Sequence, residues 1–116
     1  IVADQVLVQS VFQNLIHNAI NYSFSKEPWI KISALKNGHN YEFKIADNGT
    51  GIPEKIKDKV FDMFYRGHPD SSGSGLGLFI VKNALNKMNG TIWFESVERA
   101  GTTFHVTIPV NQNEEL

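Results

Sequence analysis

Asn14 and Asn18 lie one helical turn apart in Asn14-Leu15-Ile16-His17-Asn18, so on a helix their carboxamides project side by side. A side-chain carbonyl is a hard oxygen ligand, suited to a Mg²⁺ ion that keeps most of its waters and bridges to phosphates. Taken alone, the pair fits a solvated polar helix face better than a site. A second group is Asp47-Asn48-Gly49-Thr50-Gly51-Ile52-Pro53. Two glycines around one residue let the backbone approach a flat ligand and take positive φ. An Asp at the lip can accept a hydrogen bond from an exocyclic amine, which would choose adenine over guanine. An ordinary Asp-Asn-Gly turn fits these residues equally well. The third group is Gly73-Ser74-Gly75-Leu76-Gly77-Leu78, glycines feeding directly into a helix. Free backbone amides and the positive end of a helix dipole make such a junction a phosphate cradle. Its Gly-x-Gly-x-Gly spacing, with no strand before it, is not a dinucleotide fingerprint, and no Lys-Ser or Lys-Thr follows as in a Walker loop. A flexible linker is the competing reading, and the apolar run Leu78-Phe79-Ile80-Val81 speaks against it.

Hydrophobic periodicity predicts the elements that hold these groups. Asp4 can cap a helix running to about Tyr22. On it, Val8, Phe12, Leu15, Ile16 and Ala19 gather on a sheet-facing side, with Asn14, His17, Asn18 and Asn21 opposite. After a polar connection, residues 29–35 alternate, with Ile30, Ile32 and Ala34 on one face. Residues 41–46 alternate likewise, with Tyr41, Phe43 and Ile45 on one face. The turn-forming Lys36-Asn37-Gly38-His39-Asn40 between them predicts an antiparallel hairpin. Pro53 suits the first position of a short helix through about Val60, and the charged Glu54, Lys55, Lys57, Asp58 and Lys59 read as its solvated face. Residues 65–74 lose periodicity and read as a mobile loop. A further helix spans about Gly75 to Met88, with Leu76, Phe79, Ile80, Val81, Ala84, Leu85 and Met88 available for the core, and Asn89-Gly90 closes it. Strands at 91–97 and 102–110 flank the turn Glu98-Arg99-Ala100-Gly101. This order predicts an α+β fold, a two-layer α/β sandwich with helices on one face of a mainly antiparallel sheet.

At 116 residues the chain is long enough for one core and too short for two. The domain is expected over residues 1–110, followed by a polar tail over 111–116. No apolar run approaches the roughly 18 residues of a membrane span. The opening Ile1-Val2-Ala3-Asp4 reads as part of something longer. A net charge of −1 supplies no general attraction to nucleic acid or anionic lipid. With no cysteine there are no disulfides and no thiolate metal site, which fits a cytoplasmic setting.

In order along the chain, these segments resemble the nucleotide-binding (Bergerat-type) fold shared by histidine kinases, type II topoisomerases, Hsp90 chaperones and MutL proteins. Asn14 to Ser23 resembles its N box and Asp47 to Pro53 its first glycine box. Phe61-Asp62-Met63-Phe64-Tyr65-Arg66 resembles the F box that histidine kinases carry. Gly73 to Leu78 resembles the second glycine box, and Gly101-Thr102-Thr103-Phe104 with Ile108-Pro109 the closing strand. The resemblance covers essentially the whole chain. It implies a mixed, mainly antiparallel sheet of about five strands with about three helices on one face.

It also implies ATP and Mg²⁺ as cofactors and assigns roles by position. Asp47 would bind the adenine amine, helped by Thr102 through a shared water. Asn18 would be the Mg²⁺ ligand, supported by Asn14. Tyr22 and Ile52 would sandwich the adenine. Gly49 and Gly51 would form the rim, and Gly73, Ser74, Gly75, Leu76 and Gly77 the lid and its phosphate-binding amides. Phe61 and Phe64 would anchor the lid, and Arg66 would reach either a phosphate or a neighbouring carboxylate. ATPase branches of this fold typically carry glutamate one turn before the magnesium asparagine, to activate water. Asn14 cannot act as a base, whereas a neutral histidine nitrogen needs little help as a nucleophile. The resemblance therefore implies the catalytic domain of a sensor histidine kinase. Its γ-phosphate would go to a histidine on a separate dimerisation domain of the same, homodimeric parent, and a response-regulator receiver domain would take it next. None of His17, His39, His68 or His105 stands in an acceptor-type context. Many such kinases carry lysine where this chain has Asn21. An inactive nucleotide-dependent binding module and an ATPase of the same fold are the alternatives.

Overall fold

The computed structural model describes residues 5–21, 26–62 and 77–109. Two helices, α1 (Gln5–Asn21) and α2 (Gly77–Lys87), lie with four strands, β1 (Ile30–Asn37), β2 (Asn40–Asp47), β3 (Thr91–Val97) and β4 (Gly101–Pro109). The sheet order is β1-β2-β4-β3, and every pairing is antiparallel. The α+β sandwich expected from the sequence is thus present, with smaller counts: four strands and two α-helices among the described residues. The short helix expected after Pro53 is a single 3-10 turn, Glu54–Ile56. Its amides bond three residues back, Ile56 N–H to Pro53 O at 3.1 Å, Lys59 to Ile56 at 2.9 Å and Asp62 to Lys59 at 3.0 Å. The segment therefore winds as successive turns and never adopts the four-residue α-helical spacing.

β4 runs between β2 and β3, and its sequence shows why. Thr102, Phe104, Val106 and Ile108 are buried, while the residues between them are half-exposed. Such alternation is the pattern of a strand with one face on a core and one toward solvent. Paired residues share a face, so Ile45 and Phe94 join Phe104, and Phe43 and Ile92 join Val106. Val11 and Leu15 of α1 and Val81, Ala84 and Leu85 of α2 close over this surface. Phe12 meets Phe43 edge-on at 5.0 Å. On the opposite face His105 stacks flat on Trp93 at 3.9 Å and meets Glu95 at 2.9 Å. β1 forms one edge of the sheet, and its expected inward residue Ile32 is 51% exposed, as neither helix packs over that strand as it does over β2 and β3.

The buried stripe of α1 is Val11, Leu15 and Ala19, a four-residue row that the sequence reading placed only in part. Asn14 and Asn18 follow Val11 and Leu15 by three residues and are half-buried. They border the core stripe and do not occupy the face opposite it. The reason is that α1 packs against two neighbours, the sheet and α2, so its apolar arc is shared between them. α2 ends as expected at Asn89-Gly90, although Asn89 takes the left-handed conformation (φ 58) and Gly90 serves close packing. A Cβ on Gly90 would lie 2.6 Å from Thr107 O. Ile80, expected in the core, is 38% exposed.

Gly51 (φ 72) and Gly101 (φ 128) have left-handed backbones, and a Cβ there would collide with Val97 O and Asp47 O respectively. Gly38 (φ 61) has the same handedness and open space around it. Gly38→Ala should cost only the conformational penalty of about 1–2 kcal/mol. Gly101→Ala should cost more, about 3 kcal/mol or above, because backbone atoms of β2 would also have to move. Urea denaturation of the three chains measures the ranking, and equal losses would contradict it.

Candidate functional site

The site residues assemble at the sheet end where β2 finishes and β4 begins. The register aligns Ile30 with Asp47, Asp47 with Thr102, and Thr102 with Ser96. These four side chains therefore form one row across the sheet, on the core face. The Asp47 carboxylate accepts Gly49 N–H at 2.8 Å and the backbone N–H of Thr102. Burial raises its pKa above the ordinary 3.8, and the two backbone hydrogen bonds pull the other way without cancelling the effect. A half-buried carboxylate with two backbone donors still has lone pairs for a ligand.

The loop after Asp47 is held on both sides. Asn48 accepts Trp29 N–H at 2.9 Å through Oδ1 and donates to Glu27 O at 3.1 Å through Nδ2. Thr50 O accepts Arg99 N–H at 2.6 Å, and Ile52 N–H donates to Ser96 Oγ at 2.7 Å. Gly49 is buried, and Ile52 rests against the core. Lys57 is not part of the solvated face expected for residues 54–59. Its ammonium donates to Ser96 O at 3.0 Å and pairs with Glu54 at 2.8 Å.

Asn14 connects the two helices. Its Nδ2 donates to Ser10 O at 2.7 Å. A backbone carbonyl can only accept, so this bond fixes the amide orientation and leaves Oδ1 facing Gly77 at the start of α2. A Cβ on Gly77 would lie 3.3 Å from that oxygen. Asn18 lies one turn further along α1. Asn21 Nδ2 donates to His17 Nδ1 at 3.2 Å on the exposed side. Among the described residues no three His, Cys, Asp or Glu side chains come together to hold a metal ion. A cation here would rely on amide oxygen and ligand oxygens, which fits Mg²⁺ bound mainly through phosphates.

Of the expected site residues, the structure brings Asp47, Gly49, Gly51, Ile52 and Thr102 into one cluster. It sets Asn14 against Gly77. Tyr22, Arg66, Gly73, Ser74, Gly75, Leu76 and Phe64 lie outside the described residues. Phe61 is described and packs on Phe94 at 6.0 Å. A cleft of about 280 Å³ borders Asp47 and Gly49, walled by Ala19, Ile20, Pro28, Trp29, Ile30 and Asn48. Asn14, Asn18, Ile52 and Thr102 are not part of its lining. It approaches Asp47 from the β1 side, while Thr102 and Ser96 flank Asp47 from the β4 side. Sequence reasoning missed Ser96, Trp29 and Ile30. The alternation of β1 and β3 would have found them once their registers against Asp47 and Thr102 were known.

No helix among the described residues is long and apolar enough to cross a membrane. The sequence pattern of the family described as "Histidine kinase-, DNA gyrase B-, and HSP90-like ATPase" matches residues 3–112. The chain is 38% identical over 112 residues to the phytochrome-like protein Cph1 of Synechocystis, covering 95% of this chain and 15% of that protein. It is 42% identical over 106 residues to the sensor protein kinase WalK of Staphylococcus haemolyticus, covering 85% of this chain and 17% of WalK. It therefore spans about a sixth of the length of these relatives. The solved catalytic domain of histidine kinase ThkA superposes with a TM-score of 0.78 at 31% identity, covering 92% of this chain and 68% of that domain. The half-buried Asp47, the glycines that follow it and the asparagines of α1 thus stand on a fold shared with that kinase domain. The chain belongs to the histidine kinase-, DNA gyrase B- and HSP90-like ATPase family, as an ATP-binding catalytic domain of the sensor histidine kinase type.

Proposed function

We propose that this domain binds ATP·Mg²⁺ and donates the γ-phosphate to a histidine on a separate dimerisation domain of the same homodimeric parent. A response-regulator receiver domain would then take the phosphoryl group. The observation that carries the reading is Asn14, an amide where a water-activating member of the fold would carry a base, with its oxygen turned to the start of α2. A group that cannot accept a proton leaves only positioning and charge neutralisation as sources of rate. When bound, Mg²⁺ would supply that neutralisation between the phosphate oxygens, and the Asn18 amide oxygen, with Asn14 behind it, would hold it. Asp47 would fix the base by accepting from its amine, Ile52 and Tyr22 would enclose the ring, and Gly49 and Gly51 would let the backbone approach it. Gly73 to Gly77 would offer phosphate-binding amides, with Arg66 beside them. The domain would supply the donor site, since none of its four histidines stands in an acceptor-type context. Location in the cytoplasm follows from a cytoplasmic substrate, ATP.

Asp47→Asn should lower ATP affinity by at least about tenfold, since an acceptor facing the base amine becomes in part a donor. It should not lower stability at neutral pH. A carboxyl whose folded pKa is raised by burial favours folding most when protonated, and that contribution is lost as pH rises through the folded value. The same sign makes ATP binding weaken as pH falls through the raised pKa of Asp47, at higher pH than an exposed aspartate would require. Calorimetry at several pH values tests both, and a pH profile shared by wild type and Asp47→Asn would remove Asp47 from the site.

Asn18→Ala should weaken ATP binding with Mg²⁺ by about tenfold while changing metal-free binding little. Equal losses would contradict its assignment as the ligand. Labelled ATP should yield no phosphoprotein with this chain alone. Adding a dimeric helical hairpin with the acceptor histidine should give an acid-labile, base-stable phosphoramidate. Rapid free-phosphate release by the chain alone would favour the ATPase alternative. No label even with the matching hairpin would favour the inactive binding module.

A further inference from the structure

Ser96 lies at the end of the row that holds Asp47 and Thr102, and its hydroxyl is fully committed. A serine hydroxyl has one proton to donate and two lone pairs that accept. This hydroxyl accepts Ile52 N–H at 2.7 Å and donates to Gly101 O at 3.0 Å. Thr102 Oγ1 lies 2.8 Å away. Gly101 O has no proton to give, so the single proton of Ser96 is used there. With all three contacts made at once, the hydrogen bond between the two hydroxyls runs from Thr102 to Ser96 and fills the second lone pair of Ser96. Thr102 is 7% exposed, and with its own proton directed at Ser96 its remaining capacity is to accept.

Resting on the proposed ATP binding, we propose that Ser96 is a positioning residue that sets the polarity of base recognition by locking Thr102 as an acceptor. Asp47 accepts as well, so the two neighbours present only lone pairs to a ligand edge or to a water bridging to it. At position 6 an amino purine brings protons, and a 6-oxo purine brings another lone pair. The unmet acceptor would be desolvated without a partner, which is the stronger form of discrimination. Ser96 also ties Ile52 to β3, so the residue that would cover the ring and the one that orients its polar edge share one anchor.

The test is the ratio of ATP to inosine triphosphate affinity, measured by calorimetry on the 116-residue chain. Wild type should prefer ATP. Ser96→Ala releases the Thr102 proton to turn toward a carbonyl and should narrow the preference about tenfold. Ser96→Thr keeps the hydroxyl and should keep the preference. Thr102→Val should narrow it as well, and adding Ser96→Ala to Thr102→Val should leave the ratio where Thr102→Val put it. A Ser96→Ala chain that loses both nucleotides by the same factor would make Ser96 merely structural and overturn the proposal. Independent, additive effects of the two substitutions on the ratio would overturn it too. Should Ser96→Ala not fold, an unchanged ratio in Thr102→Val is sufficient to reject it. Wild type binding both nucleotides equally would reject the polarity argument alone, whereas wild type binding neither would reject the ATP reading with it.

Discussion

At one end of the sheet the carbonyl oxygens of Asp47 and Val97 occupy the space that a Cβ on Gly101 and Gly51 would need. The architecture of the site depends on this close approach of three backbone segments. It lets Asp47 reach the backbone N–H of Thr102 across the strand pair, and it brings the loop after Asp47 over the end of β3. The loop is then fixed by hydrogen bonds from two directions, Arg99 N–H to Thr50 O and Ile52 N–H to Ser96 Oγ. The outcome is a half-buried carboxylate whose backbone donors are supplied by the fold itself. Burial raises its pKa, and a carboxyl perturbed by burial beside a cleft is a common mark of a recognition site.

The helical layer is held by a different contact. Asn14 and Gly77 meet closely enough that a side chain at position 77 would press on the amide oxygen. α2 can therefore bring its first turn beside α1, and the asparagine row of α1 borders the apolar stripe instead of facing solvent. The sheet positions Asp47 and Thr102, and the helix pair positions the amides of Asn14 and Asn18. Relative placement of these two layers depends on the core formed by Leu15, Val81, Leu85, Phe104 and Ile45. Deleting any of those large buried side chains should disturb both halves together, since cavities in close-packed cores are only partly relaxed.

Much of this was legible in the sequence because the signals are local. The alternation at Tyr41, Phe43 and Ile45 and along 102–108 fixes which faces of β2 and β4 turn inward, and Asn89-Gly90 marks the end of α2. Asp47 and the glycines around it were found from turn chemistry and the order of motifs. What escaped is non-local. The burial of Val11 depends on α1 having two neighbours, which periodicity along one helix does not reveal. The exposure of Ile32 depends on β1 being the sheet edge that the helices leave uncovered, whereas Ile92 on the other edge, β3, is buried. Lys57 looked like one charge among five, and its bond to Ser96 O joins residues 39 positions apart. Ser96 carried no motif, and its importance arises only when the register puts it beside Thr102 and the loop lays Ile52 N–H on its oxygen.

Position 14 shows how far such local geometry bears on chemistry. Its amide nitrogen gives a proton to the carbonyl of Ser10, one turn earlier. A glutamate at this position would bring no donor to that carbonyl, so the bond that fixes the side chain would be lost along with the amide. Exchanging amide for carboxylate would thus change more than a proton-accepting group. It would also release the contact that turns Oδ1 toward Gly77 and place a full negative charge near the first turn of α2. There a carboxylate would interact favourably with the helix dipole and compete with any phosphate for the same backbone amides. The neutral amide avoids that competition. On the proposed reading it leaves the start of α2 to the nucleotide and leaves the attacking group to be supplied by another domain.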